Sequence, residues 1–550
     1  MRDPHPSLRP LAAGAVSTAL LAGAALVPVP AAHAAPPRAS AAAAVSAAAP
    51  SASAATASSA ASAASSGVRF VDIPGDGGTV LKANVVTPEG ARPGAHPVVV
   101  LPTSWAVPQI EYLAQARKLA DAGYVVVSYN SRGFWQSGGE IEVGGPEDIA
   151  DASRVIDWTL ANTPADPDKV GMAGVSYGAG ISLLAAAHDK RVKAVAALSG
   201  WSDLVGSIYS GRTQHRQAAA LLGGAGELTG RPSAELRRVL KDFLASDLDQ
   251  EDEMIAWGAK RSPVTYLDRI NAHGTAVFLA NAWGDTIFPP NGYAAFYEKL
   301  KGPKRLEFRP GDHATAEVTG LFGLPNDTWS HTRRWFDRHL KGERNGIDQE
   351  QPVQLTSRST GGYEGYPDWK SVGAAQRKME LAGTHTVRAN VDSGANGGTV
   401  LLSNALDQFL KLPPTASIPL LPRRYAAVWQ SPRAEHPQRV RGTAKLHTTV
   451  TGTKESGTLV AYLYDVGPLG LGKLVSSAPY TFHGKTPGEP FAVDLELFST
   501  AYDVPAGHRL ALVVDTVDPL YVEHNPTGAQ LTFSSPRTDP SYVSIPLREQ

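Results

Sequence analysis

Between residues 68 and 342 the apolar positions fall into two rhythms that take turns. Short runs rich in Val, Ile, Leu and Ala, closed by Gly, Pro, Asn or Asp, predict buried strands at 68–73, 80–86, 97–101, 124–129, 170–175, 192–198, 276–280 and 305–308. Between them, apolar residues recur every third or fourth position and predict helices. The 148–161 segment puts Ile149, Ala152, Val155, Ile156 and Leu160 on one face, while Gly123 closes a helix over 110–122. Strand and helix in alternation argue for a mainly parallel sheet with helices on both faces, led by a hairpin. From about 204 to 262 the rhythm is helical only, clearest at Leu236, Val239, Leu240, Phe243 and Leu244. This stretch reads as a helical cap over the functional edge, although any one of its helices reads equally well as peripheral. A last helix, 329–340, ends at Lys341-Gly342.

Past residue 346 the helical rhythm disappears. Short alternating runs separated by Gly, Pro, Asn and Asp, such as 459–466, 491–497 and 510–514, predict a β-sandwich of the jelly-roll type. The expected boundaries are therefore 67–345 for the α/β domain and 346–550 for the β domain. Tyr425, Trp429, Tyr462 and Tyr464 either line a ligand groove there or pack between the sheets, and packing is the commoner role of such residues. The β domain offers no nucleophile, metal cluster or phosphate loop.

The first 66 residues belong to neither domain. Arg2 and Arg9 ahead of an apolar run over 11–27, followed by Ala32-His33-Ala34, read as a secretory signal peptide spanning 1–34, which implies a secreted, extracellular protein. A membrane anchor is the alternative, but Pro28 and Pro30 end a short Ala/Gly-rich run. Residues 35–66 are nearly all Ala, Ser and Pro, too poor in large apolar groups to offset the entropy of ordering, and read as a disordered linker. A chain of 550 residues with a formal charge of −1 has no basic excess to suggest nucleic acid or an anionic membrane as a partner. The absence of cysteine excludes disulfides and thiolate metal sites. No His/Asp/Glu grouping has metal-ligand spacing, so no cofactor and no metal are expected, and oligomeric state is left open.

The chemistry gathers at strand ends. Gly174-Val175-Ser176-Tyr177-Gly178 fits G-x-S-x-G between a predicted strand and a helix of small residues, the setting in which a serine is lifted above a sheet edge. Asp285 follows the 276–280 strand and His313 follows the 305–308 strand, so Ser176, Asp285 and His313 stand in hydrolase chain order, each at the functional edge. Asp203 is the rival acid, and Asp312 is expected to point elsewhere. His188, His273, His331 and His339 read as helix-end or surface residues. The expected reaction is acyl transfer to Ser176 with His313 as base and Asp285 orienting it, followed by hydrolysis.

The whole pattern resembles the X-prolyl dipeptidyl-peptidase and cocaine-esterase-like hydrolases, peptidase family S15 or CocE/NonD. The resemblance covers 68 to the C-terminus. It is carried by Ser131-Arg132-Gly133, Ser137-Gly138-Gly139-Glu140, Asp157-Trp158, the Ser176 elbow, Gly284-Asp285, Asp312-His313, Leu463-Tyr464-Asp465-Val466 and Pro505-Ala506-Gly507-His508-Arg509. It implies an α/β-hydrolase core with a helical cap, a C-terminal β-sandwich, and an oxyanion hole from the Tyr177 backbone N–H and a tyrosine hydroxyl. This chain departs at the last point, because alignment of the 97–100 strand puts Trp105 where the tyrosine stands. Trp105 then either donates its indole N–H to the oxyanion or packs in the core. An X-prolyl dipeptidyl-peptidase also has to hold a substrate ammonium, for which Glu227, Asp247, Asp249 and Glu251 are available in the cap unless they are its solvated face. The resemblance leaves ester and peptide substrates open. A non-catalytic glycan- or peptide-binding protein with a decayed core is the reading from another class, opposed by the intact Ser…Asp…His order, and a lipase fits the charged cap poorly.

Overall fold

The computed structural model describes residues 67–245 and 248–549, so the signal peptide and linker expected over 1–66 lie outside the described residues. A ten-stranded sheet organises the first part of the fold. Its strands are β1 (Val68–Pro74), β2 (Val80–Val86), β3 (His96–Pro102), β4 (Val125–Tyr129), β5 (Ala165–Val175), β6 (Val192–Leu198), β7 (Ala276–Ala282), β8 (Lys304–Arg309), β9 (Val353–Thr356) and β10 (Tyr363–Tyr366). They lie in the order β1-β2-β4-β3-β5-β6-β7-β8-β9-β10. The hairpin β1–β2 and the outer strand β10 run antiparallel, and β4 through β9 run parallel.

The central strands are apolar without interruption because both faces are covered. Val98, Val100, Val125, Val127, Met172, Val195 and Leu279 face one core, while Val99, Leu101, Val126, Ala173, Val175, Ala196 and Phe278 face the other. Helices α1 (Leu113–Asp121), α2 (Pro146–Asn162) and α3 (Tyr177–His188) connect these strands. Gly123 sits at φ 92° and its N–H donates to the Ala120 carbonyl, closing α1 as its position in the sequence requires.

The cap consists of α4 (Leu204–Ile208), α5 (Arg216–Thr229), α6 (Ala234–Ala245) and α7 (Glu251–Ala259). On α6, Leu236, Val239 and Phe243 are buried and Arg237 and Arg238 are exposed, as the spacing predicts. The chain returns to β7 through α8 (Leu267–His273), passes α9 (Asn291–Lys299) and α10 (Val318–Leu321), and reaches α11 (Asp327–Lys341).

Composition changes at 346, but the sheet does not end there. β9 adds in parallel to β8 and buries Val353 and Leu355, and β10 follows it. Four-residue strands are too short for their alternation to register in the sequence. Two helices, α12 (Trp369–Val372) and α13 (Ser403–Leu410), also lie in the region that reads as all β, each too short to establish a 3.6-residue period.

Strands from β11 (Arg377–Glu380) to β24 (Leu547–Glu549) form antiparallel sheets of six, five and three strands. The larger two pack face to face around Leu446, Val450, Val493, Phe533, Leu459, Leu463 and Leu512. β17 (Gly457–Val466) is buried along its whole length rather than on one face only. Its other face, with Val460, Tyr462 and Tyr464, lies under a strap that includes Ala395, Ile418 and Leu421. Tyr462, Tyr464 and Trp429 are therefore packing residues, and Tyr425 is half-buried.

Candidate active site

Ser176 occupies the turn from β5 into α3 at φ 56° and ψ −116°, a conformation that non-glycine residues rarely adopt. The flanking glycines make the turn possible. A Cβ on Gly174 would overlap the backbone of Gly178, and one on Gly178 would overlap the Pro102 carbonyl oxygen of β3. The Ser176 N–H donates to Leu198 O at 2.8 Å, which ties the elbow to the end of β6.

Asp285 lies three residues past β7 in a loop that its own side chain organises. Its Oδ1 accepts from the backbone N–H groups of Ile287 at 2.9 Å and Phe288 at 2.8 Å. His313 lies four residues past β8. Its Nδ1 meets Asp285 Oδ2 at 2.9 Å and its Nε2 meets Ser176 Oγ at 2.8 Å. A carboxylate can only accept, so Nδ1 carries the ring proton and Nε2 presents its lone pair to the serine hydroxyl. The three residues singled out by chain order thus form one continuous hydrogen-bonded row.

Electrostatics reinforce the geometry. Burial pulls the His313 imidazole down, but the charge and hydrogen bond of Asp285 outweigh it and hold the group above its ordinary value. Asp312 is fully buried and pushed up to about 6, against the pull of hydrogen bonds from Thr286 and the His313 N–H. Glu317, also buried, is pushed up to about 7 and takes the Ser199 hydroxyl at 3.1 Å.

Ser176 opens on a cavity of about 140 Å³ between core and cap. Its walls are almost wholly apolar, with Trp201, Leu222, Val239, Phe243, Trp257 and Phe288 prominent. Glu227 is the acidic residue of the wall, and Arg237 beside it forms an ion pair with it at 2.7 Å. Of the other cap carboxylates, Glu251 is held by Arg212 and by the Tyr209 hydroxyl, Asp249 does not line the cavity, and Asp247 lies outside the described residues.

Trp105 does line the cavity, but its indole N–H donates to the Leu222 carbonyl of α5 at 2.8 Å. That donor is spent on the cap, so the indole reading of the oxyanion hole is corrected and the packing reading holds. Trp105 stacks edge-on against Phe134 and Tyr177, with ring centroids 4.8 and 5.2 Å away, and Gly226 leaves room for it beside α5. Tyr177 keeps its backbone N–H in the first turn of α3, where helical N–H groups have no intrahelical partner. Its hydroxyl donates to Asp148 at 2.8 Å. Asp203, the rival acid, instead caps α4 by accepting the Gly206 N–H at 2.9 Å. Among the described residues no group of three or more His, Asp or Glu side chains could hold a metal ion.

Sequence comparison bears on the same residues. Residues 76–315 match the profile of the X-Pro dipeptidyl-peptidase (S15 family), and 345–544 match that of the X-Pro dipeptidyl-peptidase C-terminal non-catalytic domain. The chain belongs to the S15 family. It is accordingly a serine hydrolase of the esterase or X-Pro dipeptidyl-peptidase type. A cocaine esterase of Rhodococcus sp. is 22% identical over 500 residues, 77% of this chain and 85% of that protein. A putative Xaa-Pro dipeptidyl-peptidase of Bacillus cereus is 22% identical over 466 residues, 77% of this chain and 75% of its own length. Among solved structures, an aminopeptidase from a marine sediment Thaumarchaeota archaeon superposes with a TM-score of 0.67 at 15% identity, covering 88% of this chain and 96% of the other. A CocE/NonD family hydrolase from Staphylococcus aureus gives 0.65 at 14% identity, covering 87% and 93%. At such identities the superpositions establish the fold, an α/β-hydrolase core followed by a β-sandwich.

Several residues of this S15 site carry no sequence signal. Thr286, Glu317 and Asn404, whose Nδ2 donates to the Gly284 carbonyl at 2.8 Å, are isolated polar residues without a motif, and Asn404 lies more than a hundred residues beyond Asp285 in sequence.

Proposed function

We propose that this S15 hydrolase cleaves esters of apolar, uncharged acyl groups through a Ser176-His313-Asp285 triad. The observation that carries the reading is the hydrogen-bonded row at 2.8 and 2.9 Å opening on an apolar cavity. His313 Nε2 takes the Ser176 proton as Oγ attacks the ester carbonyl, and Asp285 stabilises the resulting imidazolium. The imidazolium then gives that proton to the departing alkoxide. Water, deprotonated by the same nitrogen, releases the acid and restores the serine. The Tyr177 backbone N–H is one oxyanion donor. With the Trp105 indole engaged by Leu222, a second donor is sought in the main chain of the loop after β3.

The preference for a neutral acyl group follows from the wall chemistry. A substrate ammonium buried in this cavity would meet Glu227 already neutralised by Arg237, and an unpaired buried charge is costly. Phenyl 3-phenylpropanoate and the phenyl ester of phenylalanine differ only in that ammonium. The neutral ester is expected to have a kcat/KM higher by about 10-fold or more. A preference for the amino ester, together with release of dipeptides from X-Pro-nitroanilides, would select the dipeptidyl-peptidase reading instead. The leader-like 1–34 segment supports export, which the location of the activity in culture medium or in cells tests.

A further inference from the structure

Asp285 and His313 stand on different loops, so their 2.9 Å contact depends on what fixes the loops to one another. Helix α13 of the C-terminal domain and the residue leading into it reach both loops. Asn404, in the first turn of α13 and only 6% exposed, donates its Nδ2 to the Gly284 carbonyl at 2.8 Å. Its backbone N–H reaches Asp312 Oδ2 at 3.3 Å, and its Oδ1 accepts from Arg358 Nη2 at 3.1 Å. Gly284 and Asp312 are the residues immediately before the acid and the base. One residue of the C-terminal domain therefore grips both loops one residue upstream of the atoms that meet, the acid loop by its side-chain amide and the base loop by its backbone N–H.

The neighbourhood is built for this approach. A Cβ on Gly284 would overlap the Asn404 side chain, and one on Gly311 would lie 2.6 Å from Gln408 Oε1, one turn further along α13. The Leu401 N–H donates to Thr286 Oγ1 at 2.9 Å, and that hydroxyl donates to Asp312 Oδ1 at 2.7 Å. Asp312 Oδ1 also takes the N–H groups of Thr286 at 3.0 Å and His313 at 2.8 Å. Arg358, the partner of Asn404, is itself anchored on the Val475 carbonyl of the sandwich at 3.0 Å.

We propose that Asn404 is a positioning residue for the hydrolytic reaction, through which the C-terminal domain sets the spacing of acid and base. The proposal rests on the triad reading above. It touches no substrate and acts only through Gly284 and Asp312. Displacement of a catalytic group by about 1 Å typically costs about 10²-fold in rate, which sets the scale of the effect.

The test uses the full chain with Asn404→Ala, Asn404→Asp, Ser403→Ala and Ser176→Ala, assayed on p-nitrophenyl butyrate across pH. Asn404→Asp keeps the shape and the contact with Arg358 but loses the amide donated to Gly284. Ser403→Ala removes the hydroxyl that accepts the Thr399 N–H at the start of α13 and leaves both loops untouched. Both Asn404 variants are expected to lower kcat by about 10- to 100-fold with KM within about twofold, the split of an interaction that matters in the transition state. The charged groups facing His313 are Asp285, Asp312 and Glu317, and Asp285 does most to raise it. In Asn404→Ala, loosening of the Asp285 contact should therefore move the acid limb of kcat/KM to lower pH. Wild-type kcat and pH limb in both Asn404 variants, with Ser176→Ala inactive, would overturn the proposal and leave the triad standing. An equal loss of kcat in Ser403→Ala would also overturn it, by making the effect one of general helix stability. An active Ser176→Ala would instead remove the triad reading itself. Should Asn404→Ala fail to fold, Asn404→Asp decides alone.

Discussion

Ser176, His313 and Asp285 form one hydrogen-bonded row, and under the proposed mechanism such a row fails as a unit. Ser176→Ala and His313→Ala are each expected to lower turnover by roughly 10⁴- to 10⁶-fold, and the double variant by little more than either alone. The pH dependence has a definite sign. Because Asp285 outweighs burial and holds His313 above 6.5, the base is lost by protonation as pH falls, so kcat/KM should rise through a limb lying above that value. Asp285→Asn removes the charge but not the burial, so it should shift the limb to lower pH as well as cut kcat by about 10⁴-fold. A limb that stays in place would show that Asp285 does not set the imidazole. These three residues are legible in the sequence because each follows a predicted strand in hydrolase order. The use of the Trp105 indole was not legible, since its donor is claimed by a carbonyl on α5, more than a hundred residues away. Asn404 left no trace for the same reason. Its meaning lies in which backbone atoms α13 meets, and neither its type nor its spacing encodes that.

At the scale of elements, the helical period of α6 gave both its buried face and its charged one, and the buried face lines the cavity with Arg237 beside it. Arg237→Ala should leave Glu227 unneutralised there and shift the kcat/KM ratio toward the phenylalanine ester by about 2- to 5-fold, the size expected of one half-exposed pair. An unchanged ratio would show that Glu227 does not face the substrate. β8 carries a second charge cluster, out of contact with Ser176. Glu307 takes Arg305 Nε at 2.6 Å, Arg309 Nη2 at 2.9 Å and His331 Nδ1 at 2.7 Å. Burial pushes its carboxyl up, yet the hydrogen bond from His331 and the charges of Arg305, His331 and Arg309 outweigh this and hold it down at about 2. Its stabilisation is therefore present above the ordinary 4.5 and is lost as pH falls toward 2. Glu307→Gln should cost about 3–5 kcal/mol of unfolding free energy at neutral pH, because Arg305 stays buried with a weaker partner. Denaturant titration at pH 7 measures it, and a loss under about 1 kcal/mol would mean the cluster is no stronger than a surface pair.

For the whole molecule, the alternation of strand and helix was enough to read the class of the first domain, and the loss of helical rhythm the class of the second. What reaches back across the boundary between them was not readable. β9 and β10 complete the sheet from beyond the composition change, and α13 returns to the acid and base loops. Truncation after Gly346 should therefore do more than expose an apolar edge on β8. The product is expected to aggregate, and any soluble fraction to lack activity because Asn404 and Leu401 are gone. A soluble truncated protein with full turnover would show that the first domain needs neither its last two strands nor the grip of α13. The account as a whole rests on Ser176 being the nucleophile that His313 activates, and fluorophosphonate labelling followed by peptide mass spectrometry tests this most directly. The adduct should lie on Ser176 in the native protein and form at least about 10³-fold more slowly in His313→Ala, where no base removes the hydroxyl proton. An adduct on another serine, or undiminished labelling of Ser176 in His313→Ala, would contradict it.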